Sequence, residues 1–377
     1  MTSLGRSLLF AGVALLWAAP GAWAYGTTTL QDGAIHTVSD NTYNSVNVHV
    51  QDSATADPTT LVVSPGANIG RNPEYIGCCR RYRFGNLRVY GSSLTYMSGG
   101  NVGEPNQSPD GEYGQFEGHN NATLNLSGGS VRHILLYDTS TLNMAGGTVR
   151  SNFHSRGSSL AHIYAGSLNG DLYGENESTV NFNGGTVAGS LQTSSTATVN
   201  LLGGVITNNV NARNDSTVNL NPPSTVGGYF ESHDTAAVTM SGGSLGGHLI
   251  ARANSVIQFS GGSVPANFEV RDAASGQMTG GTVTGDLVVS DAAGVRLRGG
   301  AIAGNLSVSG FGNVQIQAGS VAGSLSLIDF CSATFSGGSI GGPLSVDVFS
   351  TLTIQGSDFA VDGVPVGYGP VAALSGT

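Results

Sequence analysis

A pair of small residues, usually Gly-Gly, returns along most of this chain at a nearly constant step, and that step constrains the fold more than any other feature. The pairs begin at Gly128, Gly146, Ala165, Gly184, Gly203, Pro222, Gly242, Gly261, Gly280, Gly299, Ala318, Gly337 and Gly356, spaced by 19 residues except for one step of 18 and one of 20. A fixed period of this length means a stack of repeated units rather than a set of globular domains. Two helices do not fit into 19 residues interrupted by Gly-Gly, so a helical solenoid is excluded.

Within each unit the apolar residues alternate with polar ones, the period of a strand with one buried face. Three positions after the pair stand Val131, Val149, Leu168, Val187 and Ile206; seven after it stand Leu135, Phe153, Leu172, Leu191 and Val210. Just before it come Val180-x-Phe182, Val199-x-Leu201 and Val218-x-Leu220. One repeat therefore reads as one coil of a parallel β-helix, with each strand pairing to its equivalent in the next coil. Uneven spacing of the apolar columns, without a six-residue sub-repeat, favours a right-handed over a left-handed helix. The predicted fold is all-β, a single-stranded right-handed parallel β-helix of about 14 coils with a 19-residue repeat, about 65–70 Å long at ~4.8 Å per coil.

Several columns report on the corners. Gly170, Gly189, Gly247, Gly285, Gly304, Gly323 and Gly342 recur five positions after the pair, as expected where the backbone needs φ > 0. Ser178, Ala197, Ser216, Ser255, Ala274, Ala293, Gly312 and Cys331 form a column of small residues, which makes Cys331 a packing residue rather than a nucleophile. Identical side chains should stack as ladders: Thr179, Thr198 and Thr217; Asn181, Asn200 and Asn219; Phe311, Phe330 and Phe349. Three threonines are a short array for ice binding, so a structural role is the expectation.

Arg6, the apolar run Leu8 to Trp17 and the small residues of Ala22-Trp23-Ala24 read as a cleaved signal peptide over residues 1–24, which places the mature protein outside the cell or at its surface. That run is too short to cross a bilayer and nothing comparable follows, so no transmembrane segment is expected in the mature chain. Residues 25–60 read as an N-terminal cap and first coil, 61–356 as the β-helix, and 357–377 as a C-terminal coil that stops abruptly at Thr377, as in a truncated chain. Lysine is absent, the net charge is -10 and there is no basic stripe, so nucleic acid is a poor partner. Three cysteines do not make a disulfide framework, although adjacent Cys78 and Cys79 could form a strained vicinal bridge.

The regularity breaks twice near the N-terminus, at insertions over 70–86 and 103–115. Both leave the same corner of neighbouring coils and should touch. The first carries Arg80, Arg81, Tyr82 and Arg83; the second carries Asp110, Glu112 and Tyr113, with His119 just beyond. Two readings stay open: a salt-bridged cap over the open end of the stack, or a ligand site with arginines for carboxylates or sulfates and tyrosines for sugar faces. A second candidate is a polar ribbon along one strand face. Asp138, Arg156, Glu175, Ser194, Arg213, His233, Arg252 and Arg271 lie ten or eleven positions after the pair, with Tyr173, Glu231 and Glu269 two residues earlier. Such a ribbon is either an ordinary solvated face or a surface for extracellular polysaccharide.

Enzymatic signals are weak. No pair of acids recurs in one column on adjacent coils, no calcium-binding Gly-Gly-x-Gly-x-Asp repeat is present, and His119, His133, His154 and His162 fall in different columns. No catalytic residues, metal or cofactor are therefore expected. The unit G-G-x-V-x-G-x-L-x-V followed by x-V-x-L resembles repeats of bacterial secreted right-handed β-helix proteins, including autotransporter-passenger-like and hemagglutinin-like adhesins. The stretch from Leu352 to Gly369 resembles the C-terminal coil of surface proteins sorted by a PEP-CTERM tail. The resemblance implies an exported, structural or adhesin-like protein without enzymatic activity; a polysaccharide-binding or polysaccharide-degrading lyase- or hydrolase-like β-helix is the alternative.

Overall fold

The computed structural model describes residues 27–44, 46–70, 86–103 and 114–357, with the backbone of 360–361 and 364–365. The described residues contain strands and turns but no helix, wound into a parallel β-solenoid. One coil in mid-stack runs through Leu191–Thr193, Thr198–Leu201 and Val205–Ile206 before re-entering the first face at Val210–Ala212. The strands of this first face, three residues long in most coils and four near the N-terminus, stack into one sheet of 16 strands from Thr27–Leu30 to Leu344–Val346. The four- and two-residue strands form a second sheet of 27 strands, which bends at the Gly-Gly corner. In three coils the two strands are continuous, as in Ser275–Val283, with register shifts between Met278 and Thr279 and between Thr279 and Thr282.

Sixteen rungs exceed the fourteen coils expected. The strands Thr27–Leu30 and Asn47–Val50 pair in parallel before any Gly-Gly pair occurs, so a count keyed to that pair passes over them. At ~4.8 Å per rung the stack is about 70 Å long. Its last described pairing is antiparallel, between Ala360–Val361 and Val364–Pro365.

The core is the set of inward columns that the alternation predicts. In one coil Val180, Phe182, Val187, Leu191 and Ala197 are all buried, and the first four each pair with their equivalents in the coil before. The small column is also as expected: Ser178, Ser216, Ala274 and Cys331 are buried where the chain turns from the first face into the second. Cys331 donates its thiol proton to the Val308 carbonyl at 3.3 Å. Cys78 and Cys79 lie outside the described residues.

Two column assignments change. Ile134, not Leu135, pairs with Phe153, and Leu135 faces outward opposite His154. Val131 pairs with Val149 across a gap of 18 residues whereas Ile134 pairs with Phe153 across 19, so the residue missing from this coil is lost at the corner between them. A single deletion there turns over the assignment of the next strand, because its side chains alternate. The same shift moves Asp138 out of the ribbon and into the following turn, where its φ is 54°.

The second correction concerns glycine. Positive φ falls on the second residue of the pair, 93° at Gly185 and 76° at Gly204, and not on Gly170 or Gly189. Those two are glycines for want of room: a Cβ on Gly170 would lie 2.6 Å from the Ser151 carbonyl carbon of the coil before. The other left-handed corner is occupied chiefly by Asn and Asp, including Asn176, Asn214, Asp234, Asp272 and Asp291, the residue types that tolerate this conformation best after glycine.

A substitution pair separates conformational need from simple composition. At Gly204 a Cβ would meet Phe182 at 2.6 Å and the Gly185 carbonyl oxygen at 2.7 Å on a residue with positive φ, while at Gly294 it would meet nothing within 4 Å. Gly204→Ala should cost roughly 1–3 kcal/mol. Gly294→Ala should be neutral or stabilising by about 0.5 kcal/mol. Urea unfolding followed by circular dichroism reads both.

Candidate functional site

The outer face of the 16-stranded sheet carries most of the chain's described histidines, its stacked tyrosines and its ion pairs. Alternation along a three-residue strand leaves one side chain outward, and the residue after the strand supplies a second. Parallel pairing then turns these into two columns. The central one runs His49, Arg88, Glu117, Leu135, His154, Tyr173, Gln192, Asn211, Glu231, Ile250, Glu269. Beside it, linked coil to coil by backbone hydrogen bonds, stand Tyr90, His119, Tyr137, Arg156, Glu175, Ser194, Arg213, His233, Arg252 and Arg271.

The ribbon residues expected from the sequence, Arg156, Tyr173, Arg213, His233, Arg252 and Arg271, are thus on one face. His119, grouped at first with the insertion loops, belongs here too. Its ring lies between Tyr90, at 4.7 Å and 16°, and Tyr137, at 4.8 Å and 11°. The loop residues Arg80, Arg81, Tyr82, Arg83, Asp110, Glu112 and Tyr113 lie outside the described residues. The flanks of both insertions occupy one corner of adjacent coils: Ile69 pairs with Val102 before them and Leu87 with Phe116 after them.

Four glutamates on the ribbon each hold one arginine and one histidine. Glu117 Oε2 accepts from Arg88 Nε and His119 Nε2, both at 3.0 Å. Glu175 accepts from Arg156 Nε and lies 3.7 Å from His154 Nδ1. Glu231 accepts from Arg252 Nε at 2.6 Å and lies 3.3 Å from His233 Nε2. Glu269 accepts from Arg271 and lies 3.1 Å from His248 Nδ1. These partners come from the same strand or the next coils, so the stacking distance itself brings the charges together. The sequence reading did not place Arg88, Tyr90, His154 and His248 on this face. Arg88 and Tyr90 become visible once the register is carried through the insertions, whereas His154 and His248 already fall on the period, one residue after Phe153 and one before Leu249.

Burial shapes the protonation of these groups. It works to raise the pKa of Glu117, but the hydrogen bonds from His119 and Arg88 outweigh it and hold the carboxyl below its usual value. Burial, reinforced by Arg156, lowers His154, whose neutral ring stacks on Tyr173 at 4.3 Å and 3°. Between two of the ion-paired groups the ribbon dips into a depression of about 200 Å³ lined by Tyr173, Glu175, Gln192, Ser194, Asn211 and Arg213.

Two further ladders, absent from the sequence reading, frame this face. Before the strand, Asn152 Oδ1 accepts from the backbone N–H of Asp171, and Asp171 from that of Ser190; the pattern returns at Asn267, Asp286 and Asn305. After the strand, Asp138, Asp234, Asp272 and Asp291 each accept from the N–H of the preceding coil's turn residue. The expected asparagine ladder lies on the four-residue face: Asn200 donates to Asn181 and Asn219 to Asn200, each at 2.8 Å. Phe311 and Phe330 stack at 5.8 Å, and Phe349 follows at 5.3 Å. Among the described residues no group of three or more His, Cys, Asp or Glu is placed to hold a metal ion, and no helix is long and apolar enough to cross a membrane.

Comparison with protein families, curated proteins and solved structures finds no match to this chain.

His133 opens the strand that follows the second insertion's coil, and burial with the nearby Arg132 charge pushes its pKa from 6.5 down to about 4. Its folded-state value is depressed, so its contribution is complete above 6.5 and drains away as pH falls toward about 4. Thermal melts followed by circular dichroism should show the wild-type midpoint falling across that window, and His133→Gln should flatten the fall. Glu117→Gln should lower stability by about 1–3 kcal/mol at neutral pH, since it removes the charge that Arg88 and His119 share. That difference should shrink below the carboxylate range.

Proposed function

We propose that this protein is an exported, non-enzymatic rod of the adhesin-like kind, which holds extended polysaccharide along the outer face of its 16-stranded sheet. The observation that carries the reading is the ribbon itself: over eleven successive rungs, from Asn47–Val50 to Phe268–Val270, the outward positions are polar, charged or aromatic except at Leu135 and Ile250. At ~4.8 Å per rung it spans about 50 Å. A linear sugar chain advances by a similar distance per residue, so a rigid ladder can meet successive sugars with equivalent groups.

The side chains suit that ligand. Tyr90, His119 and Tyr137 offer aromatic edges, and Arg, Gln and Asn offer donors for hydroxyls or acidic substituents. Most of the arrangement is held before any ligand arrives, because the rings are stacked and four of the ribbon's arginines, Arg88, Arg156, Arg252 and Arg271, are tied to carboxylates; little side-chain freedom is then lost on binding. The same ties argue against glycosidic or lyase chemistry. A catalytic carboxylic acid needs a raised pKa, whereas Glu117 is held low, and each ribbon glutamate is already committed to an arginine and a histidine. Export rests on the signal-like segment 1–24, and the surface role on the resemblance of the repeat to exported bacterial β-helix rods.

Affinity electrophoresis through gels containing soluble acidic or neutral polysaccharide tests the reading. The wild-type chain should be retarded by at least one polysaccharide. A triple variant Tyr90→Ala, His119→Ala, Tyr137→Ala with unchanged circular dichroism should lose most of the retardation. Equal retardation of both proteins would remove the ribbon as the binding face.

A further inference from the structure

The geometry points to a subsite for an anionic sugar, carboxylated or sulfated, in the depression between Tyr173 and Arg213. This inference rests on the polysaccharide reading above and names where its charged unit is held.

Arg213 differs from the other arginines of the ribbon. Arg88, Arg156, Arg252 and Arg271 each pair with a glutamate, and Arg213, although exposed, has no ion pair among the described residues. Its two nearest glutamates in the stack are already used: Glu175 bonds to Arg156 and Glu231 to Arg252. A guanidinium left with its planar fork open is suited to accept a carboxylate or sulfate in two parallel hydrogen bonds.

Apart from Glu175 at the far end, already bonded to Arg156, the rest of the depression is built from neutral groups. The two rungs between Glu175 and Glu231 carry Gln192, Asn211 and the short Ser194, so the floor falls where bulkier side chains stand on either side. Tyr173 is fixed at one edge by stacking on His154, by its hydroxyl donating to Asp171 at 3.0 Å, and by a 3.4 Å bond from Gln192. Its ring can take the apolar face of a sugar while the amides meet hydroxyls. Arg213 lies two rungs from Glu175, roughly 10 Å, which is room for about two sugar units. The charges at the two ends differ, so the site has a polarity: the anionic substituent belongs at Arg213, and the Glu175 end takes hydroxyls.

Isothermal titration of the full chain with three hexasaccharides tests the assignment: a galacturonic acid oligomer, a sulfated carrageenan oligomer and a neutral cello-oligomer. The wild type should bind at least one acidic oligomer more tightly than the neutral one, and the stronger of the two identifies the substituent. Arg213→Gln should weaken that binding about tenfold or more and leave the neutral oligomer unaffected, with Arg213→Lys intermediate. Arg298→Gln, on another face where its side chain bonds Gln317, controls for net charge. Unchanged acidic binding in Arg213→Gln, with loss in Tyr173→Ala, would overturn the subsite and leave the ribbon reading standing. Absence of binding to any oligomer and any polysaccharide would overturn both.

Discussion

Strand hydrogen bonds in this protein run from one coil to the equivalent position of the next, so that Thr179 lies over Thr198, Val180 over Val199, Asn181 over Asn200 and Phe182 over Leu201. Such pairing places every side chain about 5 Å from its counterparts in the coils before and after. The core must therefore be apolar in columns, the corners small or left-handed in columns, and the surface compatible with its own image one rung away. Phenylalanines at 116, 153, 230 and 268 sit fully buried in one such column, separated by smaller aliphatic residues. That alternation fits large rings into a stack that has no freedom to slide.

The same constraint shapes the electrostatics. Like charges stacked in register at this distance repel, and a ladder of identical acids or bases would strain the coil. In the central outward column Glu231 and Glu269 are separated by Ile250, and each turns sideways to an arginine of the neighbouring column. Arg252 and Arg271 follow one another directly, and each is met by its own glutamate. At the left-handed corner Asp272 and Asp291 do stand on adjacent rungs, where backbone N–H groups take up their charge. The backbone thereby supplies positive partners that a chain with only 14 basic and 24 acidic residues could not provide from side chains alone.

How far this was legible in the sequence depends on whether a residue's place follows from the repeat. The buried columns at Val180, Phe182 and Val187, the small column with Cys331, and the asparagine ladder at 181, 200 and 219 follow from a period of 19 and an alternation of two. Ile134 and Leu135 did not, because a lone deletion at a corner leaves no mark in composition. Glycines such as Gly170 were placed correctly and explained wrongly: local backbone need and crowding by the coil before look alike in a single chain. The Glu-Arg-His groups were half visible, since Arg156 and Glu231 fall on the period. Their partner Arg88 required the register on both sides of an irregular coil, whereas His154 falls on the period beside Phe153 and was passed over. Insertion loops carry no period at all, and nothing in the repeat places Arg80–Arg83 or Glu112.

The two side-chain ladders that frame the ribbon face run in opposite senses. At one corner a residue accepts from the coil after it, as Asn152 does from Asp171; at the other it accepts from the coil before it, as Asp234 does from Asn214. Lifting out one whole unit and closing the gap would therefore leave no net orphan, since each corner loses one donor and one acceptor together. Duplicating a unit would add both. Length in such a molecule is a quantity that unequal exchange between repeats can alter in steps of ~4.8 Å while the chemistry of each corner stays the same. The length of the stack and the number of equivalent positions along its outer face are then set by how many units the gene carries.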